Sequence, residues 1–194
     1  MLELILIRDL NNRYYLLRHG NSIANRDGLI VSDLDIGISE YGLTDLGKRD
    51  ILLKSKKIIN KPYLIYSSPF KRTIETSLIV AKSLGLINIE YITDLKERFF
   101  GDFDLKSNKN YKIVWDRDRI DPEHKNFNVE SVKSVYNRTS SFVKRVELEM
   151  KDMDILIVSH GDSLQILECW FNSMDPKYHR DLKPLEEGEF RPIL

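Results

Sequence analysis

The sequence predicts an α/β fold in which a mostly parallel, mixed sheet lies between helices on both of its faces. Residues 14–17, 63–66 and 155–158 are short, continuous apolar runs, which are typical of strands buried on both faces. Apolar residues at helical spacing occur between and after these runs. Right-handed crossovers would then bring the loops that follow the three strands to one edge of the sheet.

Composition indicates an ordinary globular protein, and we expect one domain over residues 1–194. The 30 basic and 30 acidic residues cancel, so no global charge favours a nucleic-acid partner, and no apolar run is long enough to predict a membrane contact. The lone Cys169 cannot form an internal disulfide, which favours a cytoplasmic location. The oligomeric state stays open, and a homodimer is one of the states that the sequence allows.

The first part of the chain predicts two strands and a helix. Residues 2–7 are apolar, residues 9–12 are typical of a turn, and residues 13–17 form a second strand of the hairpin. Thr44 caps a helix that we expect to run to about residue 59. The apolar side of this helix is predicted to consist of Leu46, Ile51, Leu52 and Ile58.

The next predicted unit is a strand at residues 63–66 followed at once by a helix. Ser68 suits the N-cap and Pro69 the first helical position, and Gly85 suits the end of the helix. The buried side of this helix is predicted to consist of Phe70, Ile74, Leu78 and Ala81.

The second half of the chain predicts further strands and helices in alternation. Residues 89–92 suit a strand, and the polar residues 105–128 suit an irregular or partly helical excursion. Ser131 begins a long helix, and the strand at residues 155–158 leads into a helix that includes Leu164. The C-terminal residues 189–194 are expected to form an edge strand.

Three of the predicted strands are followed by residues that suit phosphate chemistry. Arg18 and His19 end the strand of residues 13–17, and His160 follows the strand of residues 155–158. Arg72 lies in the first turns of a predicted helix, where free amide groups attract anions. Each residue alone also suits a structural role. A histidine–glycine pair after two separate strands favours the functional interpretation.

Six short motifs occur in a fixed order along nearly the whole chain. They are Arg18-His19-Gly20-Asn21-Ser22 with Asn25, Leu43-Thr44-Asp45-Leu46-Gly47, Ser67-Ser68-Pro69-Phe70-Lys71-Arg72, Leu95-Lys96-Glu97-Arg98-Phe99-Phe100-Gly101, Glu130-Ser131 and Ser159-His160-Gly161. This set resembles the histidine phosphatase superfamily, in the branch that includes cofactor-dependent phosphoglycerate mutases. The resemblance implies the three-layer sandwich of phosphoglycerate mutase-like proteins.

The resemblance also implies a role for each matching residue. His19 would attack phosphorus and become a phosphohistidine, and Glu97 would protonate the leaving oxygen and then accept a proton from water. Arg18, Arg72 and His160 would stabilise the phosphoryl oxygens, so that neither a metal nor a cofactor is required. The implied substrate-binding residues are Arg18, Ser22, Asn25, Arg72, His160 and Gly161.

The implied activity is metal-independent hydrolysis of a small phosphorylated metabolite. Two alternatives stay open: a phosphoglycerate mutase, which returns the phosphoryl group to another hydroxyl, and an inactive binding protein on the same fold. Mutases resembling this chain carry a longer, basic insertion after the acid, and they differ at Ala24, Phe100 and Asp162. These departures favour hydrolysis, and the presence of every implied catalytic residue disfavours the inactive protein.

Substrate specificity is expected to come from residues 26–42 and 102–128. Their basic side chains could bind a second anionic group or could be solvated surface charges: Arg26, Lys106, Lys109, Lys112, Arg117 and Arg119. His124 and His179 are interpreted as surface or structural residues.

Overall fold

The computed structural model describes residues 10–58, 62 and 64–193, and its centre is a five-stranded mixed sheet. The strands are β1 (Arg13–Arg18), β2 (Leu64–Ser67), β3 (Ile89–Tyr91), β4 (Asp154–Ser159) and β5 (Phe190–Ile193), in the spatial order β3-β2-β4-β1-β5. All neighbouring pairs are parallel except β1 and β5, which pair antiparallel. The predicted strand at residues 2–7 lies outside the described residues.

Seven α-helices accompany the sheet in the described part of the chain. They are α1 (Ile23–Asp27), α2 (Leu34–Ser39), α3 (Asp45–Ser55), α4 (Lys71–Leu84), α5 (Tyr111–Asp118), α6 (Val132–Glu149) and α7 (Gly161–Phe171). The excursion at residues 105–128 is therefore partly helical, as predicted. None of the helices in the described ranges is long and apolar enough to cross a membrane.

Successive side chains along the central strands are buried against helices on opposite faces of the sheet. On one face, Leu16 and Ile157 belong to the cluster that includes Phe142 of α6 and Leu167 of α7. On the other face, the neighbouring positions Leu17 and Val158 belong to the cluster of Ile51 from α3 and Val80 from α4. Because successive strand side chains point to opposite faces, this alternation produces the predicted three-layer sandwich.

Several apolar side chains of α3 and α4 that the sequence predicted to be buried are exposed. Leu46 and Leu52 of α3 are 66% and 42% exposed, and Leu78 of α4 is 50% exposed. Hydrophobic spacing alone could not tell which stripe of each helix would meet the sheet. Ser55 takes a buried position on α3, and Thr73, Thr76 and Ser77 take buried positions on α4, with hydroxyls bonded to backbone carbonyls.

The helix after β2 also begins later than predicted. Its N-cap is Phe70, which makes no side-chain capping bond, and Pro69 precedes the helix. Ser68 instead directs its hydroxyl to Nε2 of His160 at 2.8 Å. The residue that local sequence rules favour as a cap is therefore used to join two strand ends.

Three parallel strands end side by side at one edge of the sheet. Arg18 of β1 is in register with Ser159 of β4, and Ser67 of β2 is in register with Val158. His19 and His160 immediately follow β1 and β4, while Arg72 lies in the first turn of α4 after β2. The edge therefore collects side chains from distant parts of the sequence.

The start of α3 packs closely against the loop that follows β1. A methyl group at Gly47 would lie 2.1 Å from the backbone oxygen of Asn21, which no real contact allows. Thr44 caps the same helix and donates its hydroxyl to Oδ1 of Asn21 at 2.8 Å. This contact fixes the loop next to His19 and Gly20.

We expect Gly47→Ala to lower the free energy of unfolding by about 1–3 kcal/mol, because helix and loop must separate to admit the methyl group. Chemical denaturation measures the change. Arg49→Ala, an exposed position on the same helix, is the control and should change stability by less than about 0.5 kcal/mol. Equal stability of the two variants would contradict the tight contact.

Candidate active site

His19 is buried at the end of β1. Its hydrogen-bond partner, the backbone oxygen of Gly20, selects one tautomer of the imidazole. Its Nδ1 lies 2.8 Å from the backbone oxygen of Gly20. A carbonyl oxygen only accepts hydrogen bonds, so the proton belongs on Nδ1 and the lone pair on Nε2. The imidazole therefore presents its unprotonated nitrogen to the centre of the site.

One buried guanidinium connects the two histidines of the sheet edge. Arg72 Nε donates to Nε2 of His19 at 3.1 Å and to Nδ1 of His160 at 3.2 Å, and its Nη2 donates to the carbonyl of Val31 at 3.0 Å. The two imidazole centroids are 5.3 Å apart. Side chains from three strand ends therefore meet at one point.

His160 is also a neutral imidazole in this arrangement. Its Nδ1 accepts from Arg72, and its Nε2 can therefore donate to the hydroxyl of Ser68 at 2.8 Å. Burial lowers the pKa of His160 well below its usual value, and the nearby Arg72 cation lowers this pKa further. Burial, Arg72 and Arg18 lower the pKa of His19 in the same way.

The half-buried Arg18 and the buried Arg72 each carry one buried hydrogen-bond donor that has no partner within the described structure. These donors are Nε of Arg18 and Nη1 of Arg72. Arg18 uses Nη1 on the carbonyl of Leu185 at 2.9 Å. Buried polar groups are normally satisfied, so two unpaired cationic donors beside one histidine indicate a site built for an anion.

Gly161 adds a further contribution from α7. This helix begins at Gly161 without a side-chain cap, and its first turn lies against Arg18. A methyl group at Gly161 would lie 3.3 Å from Cζ of Arg18. The missing side chain therefore lets the positive end of the helix and the guanidinium face the same space.

Glu97 is a buried carboxyl group at the side of the two histidines. Its Oε1 accepts from the Arg98 backbone amide at 3.0 Å and from the Ser163 hydroxyl at 3.2 Å, while its Oε2 lies 3.8 Å from His160 Nδ1. Burial raises the pKa of Glu97 against the opposing effect of the Arg72 cation. The raised pKa favours the acid form of this carboxyl group.

Ser22 and Asn25 both line the site, but they use their side chains differently. The Ser22 hydroxyl donates to Oδ1 of the Asn25 side chain at 2.7 Å and accepts from the backbone N–H of Asn25 at 3.2 Å. These two bonds close a capping box on α1. This use of the hydroxyl fixes the orientation of Asn25. The amide oxygen of Asn25 is occupied, which leaves its NH₂ group to face the pocket.

These side chains surround a pocket of about 120 Å³. All eight residues that the sequence predicted for the site lie at or beside it. The pocket is lined by Arg18, His19, Ser22, Ala24, Asn25, Leu29, Val31, Arg72, Glu97, Tyr111, Trp115, Gly161, Asp162, Gln165, Arg180, Pro184 and Leu185. His160 lies behind the lining and contacts Arg72.

Comparison with known proteins agrees with this arrangement. The model of the histidine phosphatase superfamily (branch 1) matches residues 14–188, which include every motif listed above. The chain belongs to the histidine phosphatase superfamily. Its expected α/β fold and the resemblance drawn from its motifs are both confirmed.

Curated relatives of this superfamily member include both mutases and phosphatases. A 2,3-bisphosphoglycerate-dependent phosphoglycerate mutase of Parvibaculum lavamentivorans is 27% identical over 165 residues, which cover 80% of this chain and 78% of the relative. Phosphoserine phosphatase 1 of Hydrogenobacter thermophilus is 28% identical over 165 residues, which cover 82% and 76%. The two relatives are about equally similar to this chain, so the comparison does not distinguish hydrolysis from isomerisation.

A solved structure with the same fold is a mycobacterial glucosyl-3-phosphoglycerate phosphatase. It superposes with a TM-score of 0.76 over 93% of this chain and 88% of that chain, at 20% identity. At this identity the match speaks for the fold alone.

The structure of this histidine phosphatase superfamily member also contains a buried ionic network that the sequence did not predict. Arg98 is fully buried and donates from Nη1 and Nη2 to the two carboxylate oxygens of Asp118, both at 2.7 Å. Its Nη1 also lies 3.3 Å from Oδ2 of Asp162. The partner Asp118 lies in the polar excursion, whose fold could not be derived, so no sequence signal distinguished it from a surface carboxylate.

Asp162 has a different environment from the one that the sequence suggested. As one of the positions at which the chain departs from the mutases, it would bring a carboxylate toward an anionic substrate. Instead it accepts from Nε1 of Trp115 at 3.0 Å and from Arg98, and His179 lies 3.6 Å away. Burial alone would raise the pKa of Asp162, but His179 and Arg98 outweigh burial and lower this pKa.

His124 and His179 are structural residues, and both are buried rather than on the surface. Nε2 of His124 lies 2.8 Å from Oδ1 of Asp118, and Nδ1 of His179 lies 2.9 Å from the carbonyl of Pro176. The six basic residues proposed for a second anionic group are all exposed, and none lines the pocket. These residues are Arg26, Lys106, Lys109, Lys112, Arg117 and Arg119.

The unpaired donors predict that inorganic phosphate binds at this site. Binding to the folded state should raise the melting temperature as phosphate concentration increases. We expect Arg72→Gln to remove most of this shift, because it deletes the cation between the histidines. Arg26→Gln removes an exposed charge of the same kind and should keep the shift. A phosphate response that survives in Arg72→Gln would contradict this assignment.

Proposed function

We propose that this protein is a metal-independent phosphomonoester hydrolase that acts through a phosphohistidine at His19. The observation that carries the proposal is the combination of an unprotonated Nε2 on His19 with unpaired donors on Arg18 and Arg72. Nε2 of His19 would be the nucleophile, and the donors of Arg18 and Arg72 would bind the phosphoryl oxygens. Membership of a superfamily with phosphatase relatives supports the same reaction class.

In the first step, Nε2 of His19 attacks phosphorus while the bond from phosphorus to the ester oxygen breaks. The leaving oxygen takes the proton of Glu97 and departs as an alcohol. Arg18 and Arg72 stabilise the equatorial oxygens, and the guanidinium charge near the phosphoryl group does the work that a metal ion does elsewhere. Nδ1 of His19 keeps its proton throughout and donates it to the backbone oxygen of Gly20. This hydrogen bond holds the ring in line with the bond that breaks at phosphorus.

In the second step, water attacks the phosphohistidine. The Glu97 carboxylate accepts a proton from this water, the bond from nitrogen to phosphorus breaks, and the electron pair returns to Nε2 of His19. Inorganic phosphate then leaves. A dianionic phosphoryl group beside His160 favours protonation of its Nδ1, which would convert this nitrogen from an acceptor into a donor.

A buried environment supports the proton transfers assigned to Glu97. Oε2 of this residue lies 3.8 Å from His160 Nδ1 and 3.9 Å from Arg72 Nη2, so the carboxyl group borders the space where the phosphoryl group would bind. The raised pKa of Glu97 favours the acid form in the first step. A phosphoryl dianion in the same pocket would favour this form further.

The test of the proposal is to trap the covalent intermediate. The wild-type protein, mixed with a phosphomonoester labelled on phosphorus and quenched in alkali, should carry label on a histidine. His19→Ala should carry none and should lose at least about 10³-fold in turnover of p-nitrophenyl phosphate, because the nucleophile is gone. Both results should be insensitive to EDTA. Turnover that persists in His19→Ala, or that EDTA abolishes, would refute the mechanism.

The same assay distinguishes the two alternatives. Interconversion of 3-phosphoglycerate and 2-phosphoglycerate that 2,3-bisphosphoglycerate stimulates, at a rate above hydrolysis, would identify a mutase. Stoichiometric binding of phosphomonoesters without labelling or turnover would identify an inactive binding protein.

A second prediction concerns pH. The wild-type kcat/KM for an alkyl phosphate should fall as pH rises through the raised pKa of Glu97, because the acid form that protonates the leaving oxygen is lost. Glu97→Gln should reduce kcat/KM by roughly 10²–10⁴-fold and lose this alkaline limb. With p-nitrophenyl phosphate, whose leaving group departs without protonation, the first step should suffer less. An unchanged alkaline limb in Glu97→Gln would contradict the role of Glu97.

A further inference from the structure

The outer wall of the pocket carries a cation that the proposed reaction does not use. Arg180 lines the pocket, and its guanidinium lies over the ring of Trp115 at 3.7 Å from the centroid. Its side chain is 30% exposed, so it is partly open to the pocket and to solvent. A stacked guanidinium has its faces covered, while its N–H groups radiate in the plane and stay available for a ligand.

The partners of Arg180 that the structure describes occupy only one of its three nitrogen atoms. Nη1 donates to the neutral amide oxygen of Gln165. The same Nη1 forms an ion pair with Oδ1 of Asp162 at 3.8 Å, and this oxygen already accepts a hydrogen bond from Trp115. Nε and Nη2 of Arg180 make no hydrogen bond to any described residue, and neither is a fully buried orphan. This free edge has the two parallel N–H bonds that a carboxylate accepts.

A second cation lies close enough to affect Arg180. Burial lowers the pKa of Arg180, the Asp162 carboxylate opposes this shift, and the positive charge of Arg18 adds to it. Asp162 offsets part of the repulsion between the two guanidinium groups, and a bound anion beside Arg180 would offset more of it. Arg18 is directed to the phosphoryl group, which leaves Arg180 for a second negative charge on the same molecule.

We propose that Arg180 binds a carboxylate of the substrate, so that the enzyme selects small phosphomonoesters of carboxylic acids. The proposal rests on the proposed function, since it places the phosphoryl group at His19. Arg18, His19 and Arg180 line the same pocket, so the carboxylate and the phosphate would belong to one small molecule. Gln165 and Trp115 hold the guanidinium in place and are positioning residues for it.

Matched substrates test the proposal. The ester 3-phosphoglycerate carries a carboxylate where glycerol 3-phosphate carries a hydroxymethyl group. The wild-type protein should show a higher kcat/KM for 3-phosphoglycerate, and Arg180→Gln should reduce the ratio of the two kcat/KM values by about 10-fold or more. Arg180→Lys, which keeps the charge but loses the planar fork, should give an intermediate ratio. Arg117→Gln removes an exposed arginine from the helix that carries Trp115, and it should keep the wild-type ratio.

Binding to His19→Ala separates this proposal from the proposed reaction. By calorimetry, this variant should bind 3-phosphoglycerate more tightly than glycerol 3-phosphate, and the added Arg180→Gln change should remove the difference. The subsite is refuted if the two ligands bind equally, or if Arg180→Gln weakens both by the same factor. A preserved binding preference without any phosphohistidine or turnover would refute the reaction and keep the carboxylate site.

Discussion

The site depends on the bond from the Arg72 guanidinium to two neutral imidazoles. A cation that is buried without a bonded anion carries a desolvation cost that neutral acceptors repay only in part. Burial accordingly lowers the pKa of Arg72, and the nearest carboxylate, Glu97, lies 3.9 Å from it. The pocket therefore holds positive charge in advance, and a phosphoryl dianion would complete the electrostatic balance.

This arrangement requires three strand ends to be fixed relative to one another. The hydroxyl of Ser68 bonds to His160, and the hydroxyl of Thr76 accepts from the backbone amide of Gly20 at 3.2 Å. These bonds join β2 and α4 to the loops after β4 and β1. Hydroxyl groups that would otherwise cap a helix or satisfy a loop therefore fix His19, Arg72 and His160 relative to one another, which is the preorganisation that the proposed phosphoryl transfer would need.

The strands of the described sheet and the residues at their ends followed from the sequence pattern, whereas Ser22, Asn25 and Glu97 were predicted only from the family resemblance. An apolar run predicts a buried strand, and parallel strands must deliver the residues after them to one edge, which is how Arg18, His19 and His160 come together. Helix faces were predicted less well, as the exposed Leu46 and Leu78 show. Periodicity indicates an apolar stripe but does not fix which stripe a neighbouring layer covers.

The outer pocket could not be predicted, because its residues come from segments without a regular pattern. Asp118 and Trp115 lie on a short helix inside a polar excursion, and Arg180 lies on a short 3₁₀ helix (Pro176–Asp181) after α7. Phe100 illustrates the consequence. Mutases differ from this chain at Phe100, which implied that its side chain faces the substrate, but its fully buried ring packs against Tyr111 at 4.7 Å between centroids. Tyr111, which no motif contains, lines the pocket instead.

The ionic network around Arg98 links the outer wall of the pocket to Glu97. Arg98 directly follows Glu97, and its backbone amide donates to Oε1 of that residue at 3.0 Å. Its guanidinium holds Asp118 and lies within 3.3 Å of Asp162, which contacts Trp115. Removing one member of a buried ionic cluster leaves an uncompensated charge, so the cluster behaves as a unit. The pocket-lining Trp115 and Asp162 are therefore held by the same buried cluster whose Arg98 backbone amide fixes Glu97.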